Sequence, residues 1–191
     1  MNVDDAILKG CMEGKREAQK LLYQAYASTM MAVCLRYVQH RDEAEDIVQE
    51  GFLKVFQSIR SFRNEGSLEG WIKRIMINHS LNHYKKSRRT PFLEDIDSIN
   101  EREIVSVDEP VAFNSPVSHE RLLLLIQSLP PGYRIVFNLY AFEEYSHKEI
   151  AKELNISENT SKTQLLKARR MLRNKIEELK EIKNRAIANE R

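Results

Sequence analysis

Turn-forming residues are scarce in this 191-residue chain. It has 6 glycines and 5 prolines, too few for the frequent tight turns of a multi-stranded sheet. No run of about 18 apolar residues occurs, so no membrane insertion is expected. The N-terminal MNVDDAILKG lacks the basic start and apolar stretch of a secretory signal. Only two cysteines are present, Cys11 and Cys34, and they form no CxxC pair. They are expected to be reduced thiols of a cytoplasmic protein rather than a disulfide or metal ligands.

What the chain does have is charge beside apolar residues, 30% and 42% of the total. That mixture suits helices with one buried and one wet face. The net charge of +2 conceals an uneven distribution: residues 1–90 carry +4, residues 91–116 carry −6, and residues 117–191 carry +4. Residues 90–116 also hold three of the five prolines and little apolar periodicity. The expected fold class is therefore all-α, with a helical domain over 1–89, a flexible acidic linker over 90–116, and a second helical domain over 117–191.

Within the first domain, Leu21, Leu22, Ala25 and Tyr26, then Met30, Val33, Cys34, Tyr37 and Val38, recur at helical spacing and are candidate core. Asp42 with Glu45 reads as a capping box opening a helix whose apolar stripe is Ala44, Ile47, Val48, Phe52, Val55, Phe56 and Ile59. Asp46, Gln49, Glu50, Leu53 and Lys54 fall on or beside its other face. SFRNEGSLEG breaks the pattern, and a further helix is expected from about Leu68 to just before Pro91. Residues 71–90 hold six cations and no acid, a strip suited to a phosphate backbone.

In the second domain an apolar segment, Leu122–Ile126 and Leu129, ends at Pro130-Pro131-Gly132, and Tyr133 to Phe142 predicts the next helix. Ser146 with Glu149 is a capping box, and Ser157 with Thr160 signals another helix start shortly after the first one stops. Two short helices joined by such a turn outline a helix-turn-helix. Asn155 stands where the chain needs a left-handed residue. The second helix carries Lys162, Lys167, Arg169, Arg170, Arg173 and Lys175, with no acid between Asn159 and Ile176. Such a helix suits the DNA major groove, its first turn against base edges. A basic helix alone would more often be a solvated face; the capping and turn length favour DNA.

The segment DEAEDIVQEGFLKVFQSIRSFRNEGSLEGWIKRIMINHSLNHYKKSRR resembles the promoter-recognition module of bacterial sigma factors. LPPGYRIVFNLYAFEEYSHKEIAKELNISENTSKTQLLKARR resembles their other DNA-binding module, in the correct order. With these two modules and a short connector, the chain resembles an extracytoplasmic-function sigma factor. That likeness implies a non-enzymatic initiation subunit that binds the RNA polymerase core (its β′ and β subunits) and promoter DNA. An anti-sigma partner is implied as well; no cofactor and no metal is.

The resemblance also assigns roles. Asp46, Gln49, Glu50 and Leu53 match the segment that docks on a coiled coil of the core; without the family they would read as a wet face. Phe62, Arg63 and Asn64 lie in the loop matching the one that receives a base flipped from the melting −10 element. Trp71, Lys73, Arg74, Asn78, Lys85 and Lys86 follow on the next helix, where an amide suits an exposed base edge and cations suit the opened strand. For Trp71, core packing and stacking on DNA are both open. Asn159, Thr160, Lys162, Thr163, Gln164 and Lys167 match the helix that reads the −35 element. Many members have Gly where Asn159 stands, an apolar residue where Ser161 stands and Arg where Gln164 stands. These departures bear on which bases are read, since Gln pairs well with adenine and Arg with guanine.

Two other functions compete. A stand-alone helix-turn-helix regulator would leave the first 90 residues unexplained. A metal hydrolase built on His79 and His83 lacks the HExxH glutamate and an apparent third ligand.

Overall fold

The computed structural model describes residues 5–88 and 118–189, and among them every regular element is a helix. The expected acidic linker lies outside the described residues. The chain divides into two compact units, Met1–Thr90 and Pro91–Arg191. No helix among the described residues is long and apolar enough to cross a membrane.

The first unit holds α1 (Asp5–Met12), α2 (Arg16–Cys34), α3 (Arg41–Ser58), a short 3-10 turn (Ile59–Ser61) and α4 (Leu68–Arg88). Gly14, at φ 77°, supplies the left-handed residue that separates α1 from α2. Leu22, Tyr26, Met30 and Cys34 of α2 meet Ala44, Ile47, Val48, Phe52 and Val55 of α3 and Ile72 and Met76 of α4 in one core. Burial of each large apolar side chain stabilises such a core by about 1.5–3 kcal/mol. Helices α3 and α4 approach closely at Gly51, where a Cβ would collide with the Met76 sulfur. The closeness of α3 to α4 matters for function, because the candidate site residues of this unit lie on these two helices and the loop between them.

Two local expectations are corrected. The first residue outside α3 is His40, not Asp42, and the His40 N–H donates to Glu43 Oε2 at 3.4 Å. Glu45 pairs instead with Arg41, Nε to Oε1 2.8 Å. Leu21, expected in the core, is 47% exposed, because the buried stripe of α2 runs through Ala18, Leu22 and Tyr26.

The second unit holds α5 (His119–Gln127), α6 (Pro131–Ala141), α7 (His147–Leu154) and α8 (Glu158–Asn189). Pro131 occupies the first turn of α6, where its missing N–H costs nothing, so the helix begins two residues earlier than Tyr133. Ile126 and Leu129, then Ile135, Val136, Phe137 and Leu139 of α6, pack with Ile150 and Leu154 of α7 and Leu165, Ala168 and Leu172 of α8 as a second core. Leu124 of the expected apolar segment is exposed instead.

Candidate nucleic-acid interface

In the second unit, local chemistry fixes the turn between α7 and α8. Ser146 Oγ accepts the Glu149 N–H at 3.3 Å, and Glu149 Oε2 accepts the Ser146 N–H at 2.8 Å. The Ser146 hydroxyl also donates to that carboxylate at 2.7 Å. These bonds, the hydroxyl's first and the backbone's second, hold the Glu149 carboxyl below its ordinary range. Asn155 closes α7 in the left-handed conformation, φ 54° and ψ 52°. Its own short amide side chain makes that region tolerable. Ser157 then opens α8 by accepting the Thr160 N–H at 2.9 Å, with the two hydroxyls 2.8 Å apart. The helix-turn-helix read from the sequence is thus a capped, αL-closed pair of helices.

The exposed first turns of α8 present Asn159, Thr160 and Lys162, with Thr163 and Gln164 half-buried beside them. Thr160 serves partly as a cap partner. The helix's cations divide. Lys167 Nζ lies 5.5 Å from the Tyr133 ring centroid, the Arg169 guanidinium 5.4 Å from that of Tyr140, and Lys175 Nζ donates to Ser128 Oγ at 2.6 Å. Those three lean on their own unit, whereas Lys162 and Arg170 are exposed. Arg170, one of the basic residues read from the sequence but not among those matched to the −35 element, lies seven residues after Thr163 and so shares its face.

In the first unit, Asp46, Gln49, Glu50 and Leu53 are all exposed along one stripe of α3, Leu53 at 62%. A large exposed leucine about one turn from Glu50 gives the stripe both an apolar and an acidic contact point. The loop before α4 bends at Asn64 (φ 59°) and Gly66 (φ 134°), and Ser67 Oγ accepts the Gly70 N–H at 3.0 Å as α4 begins. Arg63 and Asn64 are exposed in this loop, while Phe62 is half-buried. The Phe62 and Trp71 rings pack with centroids 5.6 Å apart, and Trp71 rests against the core. Packing is therefore the role its geometry serves directly.

Arg74, Asn78 and Asn82 are exposed at i, i+4 and i+8 of α4, with half-buried Lys85 continuing the stripe; Lys73 is half-buried and Lys86 exposed. Asn82, which no sequence motif marks, lies one turn after Asn78. Between α3 and α4 runs an open groove of about 430 Å³ lined by Asp46, Ile47, Glu50, His79, Asn82, His83, Lys85 and Lys86. The two candidate faces of this unit thus adjoin along one groove. His79 Nδ1 is 3.6 Å from Glu50 Oε2 across it. Among the described residues no group of three or more His, Cys, Asp or Glu side chains is arranged to hold a metal ion.

Comparison with known proteins matches residues 22–90 to Sigma-70 region 2 and residues 119–172 to Sigma-70, region 4. An ECF RNA polymerase sigma-E factor of Haemophilus influenzae is 31% identical over 183 residues, spanning 92% of this chain and 96% of that protein. The protein of the same name from Escherichia coli (strain K12) is 27% identical over 186 residues, spanning 92% and 95%. Among solved structures, the sigma factor RpoE in complex with the anti-sigma factor NepR from Bartonella quintana aligns at a TM-score of 0.49 and 20% identity, over 83% of this chain and 96% of that one.

Proposed function

The chain belongs to the extracytoplasmic-function family of RNA polymerase sigma factors and directs the polymerase to promoters, and from that premise we propose how its residues divide the work. Sigma factors are not enzymes, and this chain is read as acting wholly by binding. The α3 stripe of Asp46, Gln49, Glu50 and Leu53 docks on the polymerase core. An acidic face around an exposed leucine suits a basic helical partner, with charge steering the encounter and the apolar centre contributing affinity.

The loop residues Phe62, Arg63 and Asn64 and the α4 residues Asn78, Arg74, Lys73, Lys85 and Lys86 receive the opened strand of the downstream element. Trp71 supports them by packing under Phe62. Holding an unstacked base converts binding energy into strand opening, so melting requires no hydrolysis. The first turns of α8, with Asn159, Thr160, Lys162, Thr163, Gln164 and Lys167, read the upstream element in the major groove. An anti-sigma partner and action in the cytoplasm belong to the same proposal.

The observation that carries the reading is the pairing of two different regions, in family order, on two separately packed units. Retention of promoter DNA by the chain alone, by core polymerase alone and by both together tests it. Stable promoter complexes only with both components are expected. Tight, sequence-specific binding by the chain alone would instead favour a stand-alone regulator.

A further inference from the structure

Ser161 is one of four polar or charged residues buried among the described residues, and it lies in the first turn of α8. Its Oγ is 2.9 Å from Nδ1 of His147, the first residue of α7. The imidazole in turn stacks on Tyr140 of α6, centroids 4.9 Å apart and planes 25° apart. The Arg169 guanidinium sits over that same Tyr140 ring. Helix α8 is therefore tied at two points, by a directional hydrogen bond at Ser161 and a cation–π contact two turns further on.

A buried hydroxyl requires a partner, and its partner here constrains more than stability. Apolar packing is non-directional and leaves a helix some latitude to rotate about its axis. A hydrogen bond between neighbouring helices removes that latitude, because it weakens steeply as its angle departs from linear. Ser161 sits between Thr160 and Lys162 and just before Thr163 and Gln164. Rotation fixed at Ser161 is therefore rotation fixed for the side chains proposed to meet base edges.

We propose that the His147–Ser161 hydrogen bond, backed by the Tyr140–Arg169 contact, is a positioning device that sets the rotation of α8 and thereby which bases of the upstream element are read. This rests on the functional reading above. None of the four residues needs to touch DNA for it to hold.

The test uses the full chain on core polymerase, with an upstream element taken from a start site that complex uses and a set of its single-base variants. Binding to each duplex is measured for the wild type, Ser161→Ala, His147→Phe and the double variant. Phenylalanine keeps a ring on Tyr140 but removes the nitrogen. Each single change is expected to lower the ratio of matched to mismatched affinity about fivefold, the worth of one hydrogen bond. The double variant should fall no further than either single, and the salt dependence should stay unchanged, since no phosphate contact is lost. Either single variant suffices if the other fails to fold.

An unchanged ratio overturns the inference, and so does equal weakening at every sequence, which would make the bond merely structural. A wild-type complex that discriminates while the variants retain its ratio defeats this inference alone. A wild-type complex that does not discriminate at the upstream element defeats the functional reading and this inference with it.

Discussion

Glu50 of α3 reaches across to His79 of α4, Oε2 to Nδ1 3.6 Å, so the helix assigned to polymerase docking touches the helix assigned to the opened strand. Glu50 is largely exposed, and such a pair contributes at most about 1 kcal/mol. Its importance is positional: residues from both proposed faces line one groove between α3 and α4.

Reversing charge on the docking wall separates function from folding. Asp46→Lys with Glu50→Lys is expected to weaken core binding by about 2 kcal/mol or more. Thermal unfolding should change little, since both side chains are exposed and the Glu50–His79 contact contributes at most about 1 kcal/mol. Competition against a labelled wild-type chain for core polymerase measures the first quantity. Wild-type competition by the variant would remove the docking assignment.

Asn78 is exposed on the α4 stripe. Asn78→Ala is expected to slow promoter opening about tenfold, the worth of one or two hydrogen bonds to a base edge. Closed-complex formation should be nearly untouched. A fluorescent base placed in the melted element follows opening directly, and equal slowing of both steps would contradict the role.

The α8 cations make a graded forecast. Lys162 is exposed, whereas the Lys167 ammonium is 5.5 Å from the Tyr133 ring centroid. Lys162→Ala should reduce the log–log salt slope of upstream-element binding by about 1. Lys167→Ala should reduce it by less, since its charge is shared with an aromatic face. Affinity titrations across salt concentrations measure both, and a larger change for Lys167 would reverse the ordering.

How much of this was legible beforehand depends on the range of the interaction. The capping box at Ser146 and Glu149, the αL residue Asn155 and the Ser157 cap are local features, and all three stand where the sequence placed them. The start of α3 is not legible in the sequence, because RDEAED offers several carboxylates at capping distance. Glu45 is taken by Arg41 one turn away, leaving Glu43 to meet the His40 N–H. The exposure of Leu21 and Leu124 was not legible, since periodicity marks an apolar stripe but not its edge. The cross-helix contacts, Glu50 with His79 and Ser161 with His147, join residues far apart in sequence. No spacing rule reaches them.

Burial of Cys34 gives a pH signature. Removal from water is the main cause that pushes its thiol from 9.0 up to about 12, against a smaller opposing contribution from a hydrogen bond with Ser80. The unfolded thiol ionises first, so the stability difference is fully present below pH 9 and is lost as pH rises toward 12. The slope there is about 1.4 kcal/mol per pH unit for this one group. Denaturant unfolding of wild type and Cys34→Ala across that range isolates the contribution. The native thiol should also resist a thiol reagent at neutral pH, and rapid modification without unfolding would contradict its burial.

The Ser146 cap sets the strength of α7. Ser146→Ala is expected to cost about 1 kcal/mol. The lowered Glu149 carboxyl adds a sign: its support is present above the ordinary carboxylate range and is lost as pH falls through the lowered one. Amide exchange in residues 147–154 reads out both effects, and an unchanged exchange rate in the variant would show that the cap is idle.

The most direct measurement is to map RNA 5′ ends made by core polymerase on fragmented genomic DNA, with and without the chain. Discrete new start sites that share an upstream and a downstream element at constant spacing are expected only when the chain is present. Identical 5′ ends in both reactions, despite a folded chain, would contradict the account.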